Sequence, residues 1–172
     1  MGLLNIPFIV RVADIDETPD PNLTAAEDVA RISRLKAYAV ERAPEDIVIA
    51  ADTIVVWQDY LLGKPADPEE AKEMLTDLSG SWHQVMTGLT VLQGDRCVNC
   101  TEITDVSFRE LTEQEIDDYI ATKDPMDKAG SYGIQSGGAL FVDKIHGDYY
   151  NVVGLPVCRL SQILKEFMEE SK

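Results

Sequence analysis

Short apolar runs and helical stripes alternate along this chain, and the two periods mark different elements. The run Ile47 to Ala51 meets Asp52 and Thr53 and continues as Ile54-Val55-Val56, the pattern of a buried strand. Gln58-Asp59-Tyr60 reads as a turn, so the chain doubles back and carries Gly63-Lys64-Pro65 towards Asp52. Upstream, Ile6 to Val12 reads as a strand ending in an acidic loop, Asp14 to Pro21, where prolines bar helix. Thr24-Ala25-Ala26-Glu27 is a capping box, and Val29, Ile32, Leu35 or Lys36, and Ala39 recur at helical spacing to about Ala43. Asp67-Pro68-Glu69-Glu70 starts a second helix with Ala71, Met74, Leu75 and Leu78 as its stripe, and Gly80 ends it. Trp82 to Leu92 and Cys97 to Phe108 read as strands joined by a Gly94-Asp95 hairpin. Thr112 to Glu115 caps a short helix through Ile116, Tyr119 and Ile120. Glycines and prolines then punctuate residues 124–138, which reads as an ordered, functional loop. Ala139 to Ile145 and Tyr149 to Val153 read as strands, and Pro156 opens a last helix on Leu160, Ile163, Leu164 and Phe167. With no repeat and no long linker, a single domain over 1–172 is expected.

Composition changes this picture at one point, the charge. Lysine plus arginine number 15 against 31 acids, a formal charge of −16. That argues against a nucleic-acid scaffold or an anionic membrane surface, because both need basic patches. A phosphate substrate would need local lysines and a divalent cation to overcome the field. No apolar run approaches a membrane span and no signal peptide opens the chain. Three cysteines do not make a disulfide framework, which points to a reducing cytoplasm.

Several candidate chemistries fail on spacing. Cys97-Val98-Asn99-Cys100 lies in an expected strand, where positions three apart point to opposite faces, and no second such pair exists. Gly63-Lys64 lacks the earlier glycine of a Walker A loop, and Pro65 replaces its Ser or Thr. No GxGxxG or GxSxG occurs, and His83, beside Trp82, reads as a satisfied structural histidine. What remains is a set of acids (Asp14, Asp16, Glu17, Asp52, Asp127) and lysines (Lys36, Lys64, Lys128). Asp52 inside an apolar run needs a partner; a plain ion pair and a metal-assisted attack on phosphate both supply one. Lys36 sits among apolar helix positions, either snorkelling past its neighbours or held inward for an anion. Acids that hold a metal and activate water, with lysines on phosphate oxygens, suit phosphoanhydride hydrolysis.

Taken in order, the strings are more specific. Asp-Ile-Asp-Glu-Thr-Pro, Arg-Leu-Lys-Ala, Ala-Asp-Thr-Ile-Val and Gly-Lys-Pro are followed by Leu78 to Gly88, Asp127 to Gln135 and Gly147 to Pro156. The series resembles the Maf family of nucleoside triphosphate pyrophosphatases across essentially the whole chain. The resemblance implies an α/β fold with an elongated mixed sheet, flanking helices and two lobes around a cleft, as in inosine triphosphate pyrophosphatases. It implies hydrolysis of a nucleoside triphosphate to monophosphate and pyrophosphate with a divalent cation, Mg²⁺ or Mn²⁺. By motif, Asp52 would be the general base, Glu17 and Asp52 would face the metal, and Lys36 and Lys64 would bind the triphosphate. Thr53 and Gln135 match base-selectivity positions of the branch acting on dTTP and UTP, and a glutamine amide can both donate to and accept from a uracil or thymine edge.

A homodimer, removal of non-standard pyrimidine nucleotides and a link to septum formation also follow from the resemblance alone. Family members begin with a strand and a Ser-x-Ser-Pro-Arg-Arg loop, whereas this chain opens at Met1-Gly2-Leu3-Leu4-Asn5. Either the real start lies upstream, or the chain is a shortened, catalytically impaired Maf-like protein with a regulatory or binding role; a pyrophosphatase for purine or modified bases is a further alternative. Ser136 stands where the family usually has glycine, a change expected to matter little.

Overall fold

The computed structural model describes residues 2–169. Met1 of the opening string lies outside them. Five strands make one sheet in the order β2-β1-β3-β4-β5: β1 (Val48–Trp57), β2 (Tyr60–Leu62), β3 (Trp82–Gln93), β4 (Arg96–Phe108) and β5 (Val142–His146). A mixed sheet was implied; every pairing among the described residues is antiparallel. Two of the four pairings are closed by two-residue turns, Gln58-Asp59 and Gly94-Asp95, and such hairpins can only join antiparallel strands.

The side-chain alternation of β3 assigns the helices to faces. Met86, Gly88 and Thr90 face α1 (Ala25–Ala39), while Val85, Thr87, Leu89 and Val91 face the remaining helices. On that second face Val85, Val55, Val106 and Phe108 pack with α2 (Pro68–Leu78) and α3 (Glu113–Ala121) through Met74, Leu75, Leu78, Ile116 and Tyr119. Leu89 and Val91 pack with Leu160, Ile163, Leu164 and Phe167 of α5 (Val157–Glu169). Gly88 allows α1 to lie close on the sheet, since a Cβ there would sit 2.1 Å from the Val29 carbonyl oxygen.

Four expected elements differ, among them the strand expected over Ala139 to Ile145, which starts only at Val142 because Gly137–Leu140 forms a 3-10 helix. Ile6 to Val12 forms no regular element and pairs with no strand among the described residues, and a groove of about 830 Å³ separates it from Ile47–Ala51. Without a partner edge its backbone has no ladder, and Ile9, Val10 and Val12 stay exposed. Tyr149 to Val153 is a helical turn, α4, rather than a strand. Asp148 caps it through the Tyr150 N–H, Gly154 ends it at φ 105°, and the buried Asn151 amide donates to the Val85 carbonyl and Thr104 Oγ1. Those tertiary bonds override the strand propensity of Tyr-Tyr-Asn-Val-Val. Finally, α1 stops at Ala39 because Val40 turns extended, four residues before the expected end near Ala43.

Candidate active site

The same alternation builds the site. Asp52 and Thr53 are neighbours on β1 and so point to opposite faces, Asp52 towards α1 and Thr53 towards α4. β2 pairs only with Val55 to Trp57, leaving the earlier edge of β1 uncovered on that side among the described residues. A cleft of about 850 Å³ opens across that edge, with Glu17, Lys36 and Asp52 on one wall and Lys64, Gln135 and Gly154 among its other lining residues.

On the α1 wall, the Lys36 ammonium donates to Asp52 Oδ1 at 2.7 Å and to Glu17 Oε2 at 2.8 Å. The capping box at Thr24 and Glu27 starts α1 in the register that brings Lys36 over the sheet. Lys36 is therefore held inward, with its side chain only 20% exposed. Burial pushes the Lys36 pKa down, but its hydrogen bonds to both carboxylates, with their charges, outweigh it and the net shift is upward. Burial raises Asp52; the hydrogen bond and charge of Lys36 offset this only in part, the negative charges of Glu17 and Asp28 add to it, and the net shift is again upward. One cation thus serves two hard carboxylates. That donor set suits a cation such as Mg²⁺, which is commonly held by one or two carboxylates plus substrate phosphates. No cluster of three His, Cys, Asp or Glu gathers among the described residues.

On the other walls, Lys64 is exposed into the cleft and has no ion pair among the described residues. The peptide beside it is fixed, because the Gly63 carbonyl accepts from the Gly130 N–H at 3.0 Å. Gln135 is exposed too, and its amide makes no hydrogen bond among the described residues. Thr53 Oγ1 lies 2.9 Å from Thr87 Oγ1, which itself donates to the Asn151 carbonyl at 3.1 Å. Thr87 has one proton and has spent it, so Thr53 must donate to Thr87 and turns its lone pairs elsewhere.

The remaining acids divide. Asp127 and Lys128 line the cleft, but Lys128 is already paired with Asp127 at 2.7 Å and Asp124 at 3.1 Å. Asp16 accepts from both the N–H and the hydroxyl of Thr18, a local loop fixture outside the cleft. Asp14 also lies away from it. Cys97 and Cys100 are free thiols on opposite faces of β4. His83 is only half satisfied: Nε2 lies 2.8 Å from the Tyr132 hydroxyl, whereas Nδ1 is buried with no partner among the described residues.

Sequence reasoning missed Asp124 and the hydroxyls of Tyr119 and Tyr132. Tyr119 sat in the apolar stripe of α3, and nothing local in the sequence shows where its hydroxyl goes.

A family described as Maf-like protein matches residues 1–167. The chain belongs to the Maf family. Among curated relatives, a Bacillus cytotoxicus protein named dTTP/UTP pyrophosphatase is 52% identical over 168 residues, 97% of this chain and 88% of that protein. A Bacillus cereus protein of the same name is 48% identical over the same coverage. The fold agrees with membership: an α/β arrangement of one sheet with flanking helices. No helix among the described residues is long and apolar enough to cross a membrane.

Proposed function

We propose that this chain hydrolyses dTTP and UTP to the monophosphate and pyrophosphate. Water oxygen attacks the α-phosphorus, the bond to the bridging oxygen of the β-phosphate breaks, and pyrophosphate leaves. The observation that carries this is the Lys36 ammonium shared between Glu17 and Asp52 in a cleft that also holds Lys64 and Gln135. The two relatives' names support the choice of substrate.

Asp52, oriented by Lys36, takes the proton of the attacking water. Lys36 and Lys64 meet phosphate oxygens and locally reverse the repulsive field of a chain with charge −16. Glu17 and Asp52 would hold a divalent cation, Mg²⁺ or Mn²⁺, which when bound supplies phosphate charge neutralisation and a more acidic water. The Gln135 amide can pair with the carbonyl and imide edge of uracil or thymine. Thr53, obliged to accept, complements the imide N–H that these bases carry and cytosine lacks. A single domain acting on cytoplasmic nucleotide pools fits the fold and the free thiols.

The test is pyrophosphate release from dTTP, UTP, CTP and GTP with Mg²⁺ or Mn²⁺. Wild type is expected to turn over dTTP and UTP. Asp52→Asn, which keeps the size and loses the base, should lower kcat about 10³-fold with an unchanged thermal midpoint. Full activity in that variant refutes Asp52 as base. Faster turnover of GTP would favour a purine substrate, and silence on all four nucleotides would favour a binding or regulatory protein.

A further inference from the structure

Gln135 occupies a tight turn whose ends are closed by groups that the reaction does not use. The Ser136 N–H donates to the Gly133 carbonyl at 3.1 Å, placing Ile134 and Gln135 at the centre of a four-residue turn. A second ring of side-chain bonds closes the same turn. The Gly133 N–H donates to Tyr119 Oη at 3.0 Å, and Tyr119 Oη donates to Asp124 Oδ2 at 2.6 Å. Ser136 Oγ donates to the same carboxylate oxygen at 2.5 Å. The other oxygen of Asp124 lies 3.1 Å from the Lys128 ammonium, so the carboxylate is held on both sides. Tyr119 is rigidly mounted on α3, 6% exposed, with its ring edge-on to Phe141 at 5.1 Å. Burial pushes its hydroxyl up to about 12, so it stays a donor throughout the neutral range. On the far side, Tyr132 is tied to His83. The backbone around Gln135 is thus pinned at both ends while its amide stays unpaired and faces the cleft.

We propose that Tyr119, Asp124 and Ser136 form a clamp that presents Gln135 to the base and sets how sharply this enzyme discriminates among nucleobases. The three are positioning residues: they act through Gln135. This rests on the reading above that Gln135 meets the base. A pre-ordered amide loses less freedom on binding, and it cannot swing to pair equally well with a wrong base edge. Ser136 is then not the neutral departure from glycine that its surroundings in the sequence suggest. A glycine there would remove one of the two side-chain hydroxyls on Asp124 and free the turn.

The experiment measures kcat and KM for dTTP, UTP, CTP and GTP in wild type, Ser136→Ala, Ser136→Thr and Tyr119→Phe. Exchange of the backbone amides over residues 132–137 is followed in the same proteins. In Ser136→Ala and Tyr119→Phe, KM for dTTP should rise about three- to tenfold with kcat within about twofold, the scale of one ordinary hydrogen bond, because the lost bond orders the turn and does not itself touch the substrate. The kcat/KM preference for dTTP over CTP should fall by a similar factor, and amide exchange at 133–136 should accelerate. Ser136→Thr retains the hydroxyl and should retain the preference. The double variant Ser136→Ala with Tyr119→Phe should lose little more than either single one, because both open the same ring. A wild-type preference in both single variants overturns the clamp and leaves the pyrophosphatase reading intact. Lost preference with unchanged amide exchange also overturns it, since the effect would not pass through the turn. Silence of wild type on every nucleotide overturns the pyrophosphatase reading, and the clamp's role in base choice with it.

Discussion

His83 makes stability depend on pH in a way the structure quantifies. It is 3% exposed on β3, with its ring edge-on to Phe108 at 5.0 Å and to Tyr132 at 5.4 Å. Protonation would leave a cation among aromatic rings with an Nδ1–H that has no acceptor. Burial accordingly pushes its pKa from 6.5 down to about 4. Between those values the unfolded chain binds the proton and the folded chain does not, so stability rises with pH. The contribution is whole above 6.5 and lost as pH falls to about 4. A gap of about 2.5 pH units, at about 1.4 kcal/mol each, amounts to about 3 kcal/mol. The matching variant is His83→Gln, which can still bond the Tyr132 hydroxyl but does not titrate. Urea unfolding followed by circular dichroism at several pH values from 7 to 4 compares the two proteins. The carboxylates are common to both and cancel in the difference. The stability advantage of wild type over the variant should shrink by about 3 kcal/mol across that range. Parallel curves would show that His83 is not buried in its neutral form, and the reasoning would fail.

Other perturbations test the framework around the cleft. Gly88→Ala places a methyl 2.1 Å from the Val29 oxygen and 2.3 Å from its carbonyl carbon, so α1 must lift from the sheet. It should cost about 1–3 kcal/mol in urea unfolding, and a wild-type midpoint would refute the close approach. Thr87→Val removes the acceptor for the Thr53 proton and lets Thr53 donate into the cleft. The kcat/KM preference for dTTP over CTP should drop about tenfold or less, within the range of one hydrogen bond; an unchanged preference would show that Thr53 does not read the base. Lys36→Met leaves Glu17 and Asp52 without their shared cation. KM for dTTP should rise at least about tenfold, the scale of a lost charge-assisted contact, and a wild-type KM would remove Lys36 from phosphate binding.

Much of this was legible locally. The capping boxes at Thr24 and Thr112 are present with both reciprocal bonds, and Asp67 caps the next helix as its Asp-Pro-Glu-Glu pattern requires. The Gly94-Asp95 hairpin joins the two strands it was expected to join. These features depend on hydrogen bonds within a few residues, so sequence spacing carries them. The strand reading of Ile6 to Val12 and of Tyr149 to Val153 failed for the opposite reason. Whether an apolar stretch becomes a strand depends on a partner edge, and whether it coils depends on distant groups such as Val85 and Thr104.

The site divides along the same line. The sequence by itself determined which carboxylates and lysines were available, and the ordered motifs pointed to the family that the whole-chain match then bore out. It could not tell whether Lys36 snorkels or points inward, because periodicity places a side chain on a helix face and not on a partner across the cleft. Only the packing of α1 over β1 and β3 decided that Lys36 lies between Glu17 and Asp52. Only the tertiary fold brought Tyr119, Asp124 and Ser136 onto one turn, because residues separated along the chain meet through the packing of α3 and the following loop rather than through any local pattern.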